Sequence, residues 1–225
     1  MNWQDEGFLL SKRKFRENAN IINVFTNTFG KVSGIVYGGN SRKIRNYLQI
    51  SNKIFIFYNS KNENKLGYFK TELVEAISPR YFNDKKRTTA LLSITAILNI
   101  LLPESQPYKN IYSSLGNLIN NFYNNKWIIS YINWELNLIK ELGFDTDLTK
   151  FKKNDLKNDQ ILNLEIDGIK YQIPSFLIND DNESISNNSI KKALNFTRSM
   201  MLNKFFLPNN LVFPKSRVLL ENYFN

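Results

Sequence analysis

KVSGIVYGGNSRKIRNYLQISNKIFIFY, residues 31–58, combines two strand-like segments with a pair of glycines and a short polar segment between them. Residues 31–37 and 53–58 are rich in β-branched and aromatic side chains, which is typical of strands. Gly38 and Gly39 end the first segment, because glycine favours reversal of the chain. Residues 42–48 then predict a short helix. The stretch therefore predicts the order strand, helix, strand.

Three more segments in the first third of the chain have the same strand-like character. They are residues 8–11, 21–26 and 67–74. Residues 27–30 are the expected hairpin connection between the second and third strands, where Gly30 can adopt a positive φ. Five strands with a helix between the third and the fourth are the plan of the OB-fold, a small β-barrel. The sequence therefore predicts an OB-fold at its amino-terminal end.

The apolar spacing becomes helical after residue 78, which places the expected domain boundary there. Helices are predicted around residues 91–101, 112–122, 126–142 and 189–206, with Ser189 as an N-cap, and in a last segment after Pro214. Asp167 and Gly168 predict a hairpin turn. The predicted fold class is α+β: an OB-fold β-barrel domain over residues 1–78, then an all-α helical domain over residues 79–225 with a small irregular or hairpin insertion.

The chain is strongly basic. It has 30 Lys and Arg against 20 Asp and Glu, a net charge of +10, and residues 1–78 hold twelve basic and six acidic residues, more than half of the excess. Such an excess favours polyanions, namely nucleic acid or an anionic membrane surface. A drift towards Asn, Ile and Lys, the residues that AT-rich codons supply, is the alternative explanation, and it needs no function.

Cysteine and histidine are absent from the sequence. Their absence excludes disulfides, thiol nucleophiles and Cys-based metal sites, and removes the commonest general base. We therefore expect a protein that is not an enzyme and that has no cofactor. The carboxylates of Asp145, Asp147, Asp155, Asp159 and Asp167 leave a metal-dependent nuclease as one alternative.

The apolar segments of the sequence are short or interrupted. Residues 1–10 include Asp5 and Glu6 and do not resemble a signal peptide. The apolar run of residues 90–102 contains Ser93, Thr95 and Asn99 and is too short to cross a bilayer. We therefore expect a soluble, cytoplasmic protein without a membrane partner.

Two groups of basic residues form the candidate nucleic-acid site. The first group is expected in one loop and the second in the helix after the paired glycines, both facing one groove and contacting phosphates interchangeably. They are Lys12, Arg13, Lys14 and Arg16, and Arg42, Lys43 and Arg45.

Aromatic residues are interleaved with these cations, namely Phe15, Phe29, Tyr37 and Tyr47. OB barrels hold single strands by stacking bases on such rings beside a basic groove. The alternative is that the rings fill the barrel. Residues 38–42 also resemble a phosphate-binding loop, but no Gly-Lys-Ser or Gly-Lys-Thr follows, so an NTPase is not expected.

Six short motifs follow one another along the whole chain. In the first domain they include Trp3, Asp5, Gly7, Leu10, Thr26, Gly30, Gly34, Gly38, Gly39, Ser41, Arg42, Leu48, Gln49, Asn52, Leu66 and Gly67. In the second they include Leu102, Pro103, Glu104, Gln106, Pro107, Tyr131, Glu135, Leu136, Leu142, Gly143, Phe144, Asp147, Leu148, Pro214, Ser216, Arg217 and Leu220. In this order they resemble the bacterial RecO family, although Ile50 and Ser51 replace Pro and Gly of the family's Leu-Gln-Pro-Gly-Asn turn.

The resemblance implies a mediator of DNA repair and recombination without a catalytic site. Members of the family bind single- and double-stranded DNA, anneal complementary strands, engage the acidic tail of single-strand binding protein, and with RecR help to load RecA, so that RecA is an indirect partner. The implied location is the bacterial cytoplasm, at the nucleoid. Many relatives carry a zinc-binding cysteine cluster after the position of Leu148, and this sequence has none.

A second candidate site follows from the implied partner. The predicted helix after Ser189 carries four cations that would receive the acidic tail of single-strand binding protein: Lys191, Lys192, Arg198 and Lys204. An OB-type module that binds RNA or serves as an adaptor is the alternative function from another class.

Overall fold

The computed structural model describes residues 2–60, 66–144, 148–151, 159–179 and 185–224. The strands are β1 Asn2–Arg16, β2 Ala19–Thr26, β3 Gly30–Tyr37, β4 Lys53–Asn59, β5 Tyr68–Glu75, β6 Ile161–Ile166 and β7 Ile169–Pro174. The α-helices are α1 Arg42–Tyr47, α2 Lys85–Leu101, α3 Lys109–Asn121, α4 Trp127–Glu141, α5 Phe176–Asn179, α6 Asn187–Met201 and α7 Lys215–Asn222. Ser78–Tyr81 and Leu148–Phe151 are 3₁₀ helices, and Leu202–Phe206 is a π-helical turn.

The chain divides into two compact units. The first comprises Met1–Ser113 with Pro214–Arg217, and the second comprises Ser114–Phe213 with Val218–Asn225. The domain boundary expected after residue 78 stays a prediction.

The first unit contains a closed barrel with the strand order β1-β2-β3-β5-β4. Neighbouring strands are antiparallel except β3 and β5, which pair in parallel, and α1 connects β3 to β4. This is the topology of an OB-fold. The predicted fold class, a barrel followed by helices with a small hairpin, is therefore confirmed.

The long strand β1 closes this barrel because it pairs on both sides. From Asn2 to Phe8 it pairs with β4, and from Gly7 to Arg16 it pairs with β2. The register with β2 shifts around Leu10 and around Phe15, and an extra residue at such a point bends and twists a strand.

The sequence-based prediction that this strand ends at residue 11, with the following cations in a loop, was wrong. The basic residues continue β1, because pairing with β2 satisfies their backbone groups while their side chains lie at the exposed end of the ribbon. Strand pairing therefore decided the extent of β1, and not the local run of charge.

Alternating side chains of the strands fill the barrel. Its core is a cluster of buried residues, namely Leu9, Ile22, Val24, Val32, Val36, Leu48, Ile54, Ile56 and Phe69. Trp3 lies at the margin of this cluster and stacks between Phe29 and Tyr58, with ring centroids 4.1 and 4.8 Å apart. Burial of this apolar surface is the main force that holds the barrel closed.

Helix α1 packs against the barrel core through one side. Ser41 is its N-cap, and Ile44 and Tyr47 pack against the core cluster. The hydroxyl of Tyr47 donates a hydrogen bond to the carbonyl oxygen of Thr71 at 2.6 Å. These contacts fix α1 so that its remaining side chains face solvent.

The segment between α2 and α3 also packs on the barrel. The backbone N–H of Ser105 donates to the carbonyl oxygen of Lys31 at 2.8 Å. Gly30 has a φ of +69°, and a Cβ at this position would lie 2.0 Å from the carbonyl oxygen of Gln106. Only glycine combines this backbone conformation with such a close approach.

In the second unit, α6 packs against α4 and against β7. Trp127, Tyr131 and Trp134 of α4 are buried. The buried carboxylate of Glu135 accepts hydrogen bonds from the hydroxyls of Tyr131, at 2.7 Å, and Thr197, at 2.5 Å. The predicted turn at residues 167 and 168 joins β6 to β7.

The prediction that Ser189 caps the helix α6 was wrong by three residues. The N-cap is Ser186, whose side chain accepts a hydrogen bond from the backbone N–H of Ser189 at 3.2 Å. Serine is a favoured N-cap residue, and the sequence alone did not decide between Ser186 and Ser189.

We predict that Gly30→Ala lowers the free energy of unfolding by at least about 1–3 kcal/mol, because the alanine would be strained at positive φ and would clash with Gln106. Chemical denaturation measures this change. Gly116→Ala is the matched control: no atom lies within 4 Å of a Cβ at position 116, and the site is inside α3, so this variant is expected to gain roughly 0.5–1 kcal/mol. Equal effects of the two substitutions would contradict the close packing of Gly30.

Candidate nucleic-acid interface

The end of the β1–β2 hairpin carries four predicted cations on two opposite sides. Lys12 pairs with Ile22, a core residue, so Lys12 and Lys14 point to the same side as the barrel core. Arg13 and Arg16 point to the outer side. We call these the inner and the outer side of the hairpin.

The three other predicted cations lie on α1. Gly38 has a φ of +68° and its carbonyl oxygen accepts a hydrogen bond from the N–H of Ser41 at 2.8 Å, so the paired glycines reverse the chain before the helix. The exposed residues Arg42, Lys43 and Arg45 lie on the solvent side of α1. The glycines therefore position this cluster.

Lys12 joins the two clusters. Its Nζ donates a hydrogen bond to the carbonyl oxygen of Leu48 at 2.7 Å, directly after α1. Burial lowers the pKa of Lys12, and the positive charge of Arg45 lowers this pKa further. The inner side of the hairpin and α1 therefore share one positively charged surface. We call Lys12, Lys14, Arg42, Lys43 and Arg45 the inner basic surface.

Arg13 and Arg16 do not join the inner basic surface, although all seven cations were expected to face one groove. Arg13 pairs with Ile21 and, because the register shifts around Phe15, Arg16 pairs with Ala19, so both lie on the outer side of the hairpin. There the guanidinium of Arg16 lies 5.2 Å from the centroid of the Phe15 ring. The seven cations therefore divide into two groups, of five and two.

None of the seven cations is neutralised by an ion pair within the part of the chain that the structure describes. Other cations of the first unit do have acidic partners, as in the ion pairs of Lys53 with Glu6 and of Arg80 with Glu75. Like charges that are held together without a carboxylate repel one another and favour an anionic ligand.

The four aromatic residues near these cations have two different environments. Phe29 and Tyr47 pack against the barrel core. Phe15 and Tyr37 are 43% and 58% exposed. The sequence did not separate the two pairs, because only the direction of each side chain from the barrel distinguishes them.

The four cations predicted to receive an acidic tail lie on α6 and on the π-helical turn after it. Arg198 forms an ion pair with Glu221 at 3.2 Å, and Lys204 forms one with Asp167 at 2.6 Å. The Nζ of Lys192 donates a hydrogen bond to Gln172 at 2.5 Å. Two of the four charges are therefore balanced within the second unit, which sequence spacing could not indicate.

The candidate carboxylates for metal binding are only partly within the described chain. Asp145, Asp147 and Asp155 lie outside the described residues, and Asp167 is paired with Lys204. Among the residues with described positions, no group of three or more Asp and Glu side chains is placed to hold a metal ion. The helices of the described ranges include none that is long and apolar enough to span a bilayer.

The fold and these side chains define a basic protein built on an OB barrel with a helical carboxyl-terminal part. Two family models match the sequence: Recombination protein O N terminal over residues 1–77, and Recombination protein O C terminal over residues 83–152. Together they cover more than half of the chain. The chain therefore belongs to the RecO family.

Curated relatives named DNA repair protein RecO agree with this assignment. One from Wolbachia sp. subsp. Drosophila simulans is 33% identical over 152 residues, which are 67% of this chain and 62% of the relative. One from Cereibacter sphaeroides is 33% identical over 150 residues, 67% and 62% of the two chains. One from Roseobacter denitrificans is 32% identical over 145 residues, 64% and 60% of the two chains. The matched stretch thus spans about three fifths of the length of these relatives.

We predict that Arg45→Gln raises the pKa of Lys12, because it removes the positive charge that disfavours the protonated amine. The pKa should stay below the ordinary lysine value of 10.5, because burial, the larger cause, remains. Nuclear magnetic resonance of the Lys12 side chain against pH measures this value. Lys31, whose pKa burial also lowers but whose charged neighbour is Glu104, is the control and should not change. An unchanged pKa of Lys12 would mean that the charges of the hairpin and of α1 do not interact, so that they do not form one surface.

Proposed function

We propose that this protein is a DNA repair and recombination mediator that binds single- and double-stranded DNA through the basic residues of its barrel. One observation carries the proposal: Lys12 and Arg45 bring the hairpin and α1 together as a positively charged surface without a neutralising carboxylate. Lys14, Arg42 and Lys43 extend this surface, and Arg13 and Arg16 add positive charge on the outer side of the hairpin. The phosphates of DNA would neutralise these cations, and the counterions condensed on the DNA would be released.

This surface suits binding without sequence recognition. Lys and Arg side chains at a strand end and on a short helix contact phosphates as interchangeable charges, and such contacts carry no direct base information. The mediator would therefore hold any strand, which annealing of arbitrary complementary sequences requires.

The same proposal includes protein partners and a cellular setting. Membership of the RecO family supports a role beside single-strand binding protein and RecR in the bacterial cytoplasm, at the nucleoid. The outcome of this role would be the loading of RecA. Binding and annealing require surfaces and no catalytic group, so the protein would act without enzymatic activity and without a cofactor. The alternative is an OB-type RNA-binding or adaptor module, and the experiments below distinguish it.

We also propose that α6 receives the acidic tail of single-strand binding protein. Arg198 and Lys204 are engaged by Glu221 and Asp167, so within this site Lys191 and Lys192 would supply the charge that attracts the tail. Arg198 and Lys204 would contribute by exchanging their partners for carboxylates of the tail.

We predict that the double substitution Arg42→Ala with Arg45→Ala weakens DNA binding and makes it less dependent on salt. Loss of two phosphate contacts should reduce the slope of log K against log salt by roughly 1.4 for single strands, at about 0.7 per contact. Fluorescence anisotropy with a labelled oligonucleotide over a salt series measures both effects.

The matched control is Lys109→Ala with Lys215→Ala, which removes the same charge from exposed positions of the first unit outside the seven cations. It should change the slope far less. If the control changed the slope as much as the α1 variant, DNA would be attracted by the net charge alone. The basic composition would then need no specific site, and α1 would not be a phosphate-binding element.

We predict that the protein accelerates annealing of complementary oligonucleotides coated with single-strand binding protein, and only when that protein retains its acidic tail. The reaction contains EDTA, so acceleration does not depend on a divalent metal. Lys191→Glu with Lys192→Glu should abolish the acceleration, because reversed charges repel the tail, and should leave annealing of uncoated oligonucleotides unchanged.

Lys109→Glu with Lys215→Glu is the control for charge reversal. Tail binding that persists in the α6 variant would remove α6 as the tail site. DNA binding without any tail-dependent acceleration would instead leave a generic OB-type binder, and divalent-dependent cleavage of the DNA would favour the nuclease alternative.

A further inference from the structure

Two tyrosines, the exposed Tyr37 and the half-buried Tyr68, lie on the outside of the barrel. Tyr37 ends β3 and Tyr68 begins β5, and each points away from the core because its neighbour, Val36 or Phe69, belongs to the core cluster. Tyr37 is 58% exposed. The ring centroids are 6.4 Å apart at an interplanar angle of 57°, so the rings do not stack face to face and retain uncovered area.

Strand register connects these tyrosines to the outer side of the hairpin. Arg16 pairs with Ala19, which pairs with Tyr37. In the adjacent row, Arg13 of β1 pairs with Ile21 of β2, Ile21 pairs with Ile35 of β3, and Ile35 pairs with Tyr68 of β5. Residues paired in this way share one face of the sheet, at strand separations of about 4.8 Å. Arg13 and Arg16 therefore lie on the same face as the two rings, about three and two strands away.

The same face continues past Tyr68 into a hollow of about 600 Å³ between β1, β4 and β5. Its lining includes two aromatic rings and one cation, namely Phe57, Tyr68 and Lys70. It also includes three side-chain amides, namely Asn2, Gln4 and Asn59. Phe57 is 38% exposed. Exposed rings beside amides provide stacking surfaces and hydrogen-bonding groups for nucleobase edges, and Lys70 provides a charge for a phosphate.

Charge indicates the occupant of this face. Arg13 and Arg16 lie at one end of the row of rings and Lys70 lies at the other, which suits a polyanion that runs between them. Two acidic residues are also near this face: Glu72 follows Lys70 by two residues on β5, and Glu104 accepts a hydrogen bond from Ser33 of β3 at 2.8 Å. Duplex bases are stacked on one another and cannot reach a protein ring, whereas unpaired bases can.

We propose that Tyr37 and Tyr68 stack unpaired nucleobases of a single-stranded nucleic acid that runs from Arg16 to Lys70 across the outer face of the barrel. This inference rests on the proposed function and deepens it. The inner basic surface supplies charge contacts that any nucleic acid satisfies, and the outer face recognises unpaired bases as such.

The experiment compares the affinities for oligo(dT) and for an abasic sugar-phosphate oligomer of equal length and charge, by fluorescence anisotropy with the full chain. The unaltered protein should prefer oligo(dT), because only that ligand has bases to stack. Tyr37→Ala with Tyr68→Ala should lose roughly 5-fold or more in affinity for oligo(dT) per ring. Its affinities for the abasic oligomer and for a duplex should not change.

Two controls separate stacking from structure. Tyr37→Phe with Tyr68→Phe keeps the rings and should keep the preference for oligo(dT), and Phe82→Ala removes another exposed ring, 62% exposed, outside the path and should also keep it. If the double alanine variant unfolds, Tyr37→Ala alone is the test, since its side chain is largely in solvent. Circular dichroism reports folding in each case.

The outcomes distinguish this inference from the proposed function. Equal affinity of the unaltered protein for the two oligomers, or a preference that survives loss of both rings, would overturn the stacking site and leave charge-driven DNA binding intact; a protein partner would then be the occupant of this face. Binding of neither oligomer nor a duplex would instead refute the proposed function itself.

Discussion

The continuous pairing of β1 with two neighbours is the constraint on which the first unit depends. In a closed barrel every strand has two partners, and β1, from Asn2 to Arg16, reaches its two by pairing with β4 over its first half and with β2 over its second. The register shifts near Leu10 and Phe15 give it the bend that closure requires. Closure in turn buries the core cluster and removes exposed strand edges, which otherwise favour aggregation.

The extent of β1 also determines where its charges point. In a loop, the four cations of β1 would have no fixed directions, but on a strand successive side chains alternate, and the register shift around Phe15 reverses the alternation for Arg16. Lys12 therefore meets α1, and Arg16 lies on the face that carries Tyr37. A single stretch of basic sequence thereby contributes to two surfaces of different character, one of cations alone and one of cations with rings.

The sequence predicted those elements whose signals are local. The paired glycines marked the end of β3 and residues 42–48 were predicted as the helix that became α1, and the β-branched and aromatic runs located β2 to β5 within two residues at each end. The length of β1 was missed because its charged end is stabilised by pairing with β2, a contact between distant residues. The different environments of Tyr37 and Tyr47 were missed for the same reason: one ring points out of the barrel and the other is held by Thr71. The ion pairs of Arg198 and Lys204 join residues more than 20 positions apart, and spacing along α6 carries no information about them.

The stack of Phe29, Trp3 and Tyr58 gives the barrel its own optical reporter. The chain has 3 Trp: Trp3 belongs to the first unit, and the buried Trp127 and Trp134 belong to the second. Replacement of Trp3 by Phe would confine indole emission to the helical unit, whereas replacement of the other two would confine it to the barrel. The loss of structure in each unit is therefore open to separate observation by intrinsic fluorescence, without any attached dye.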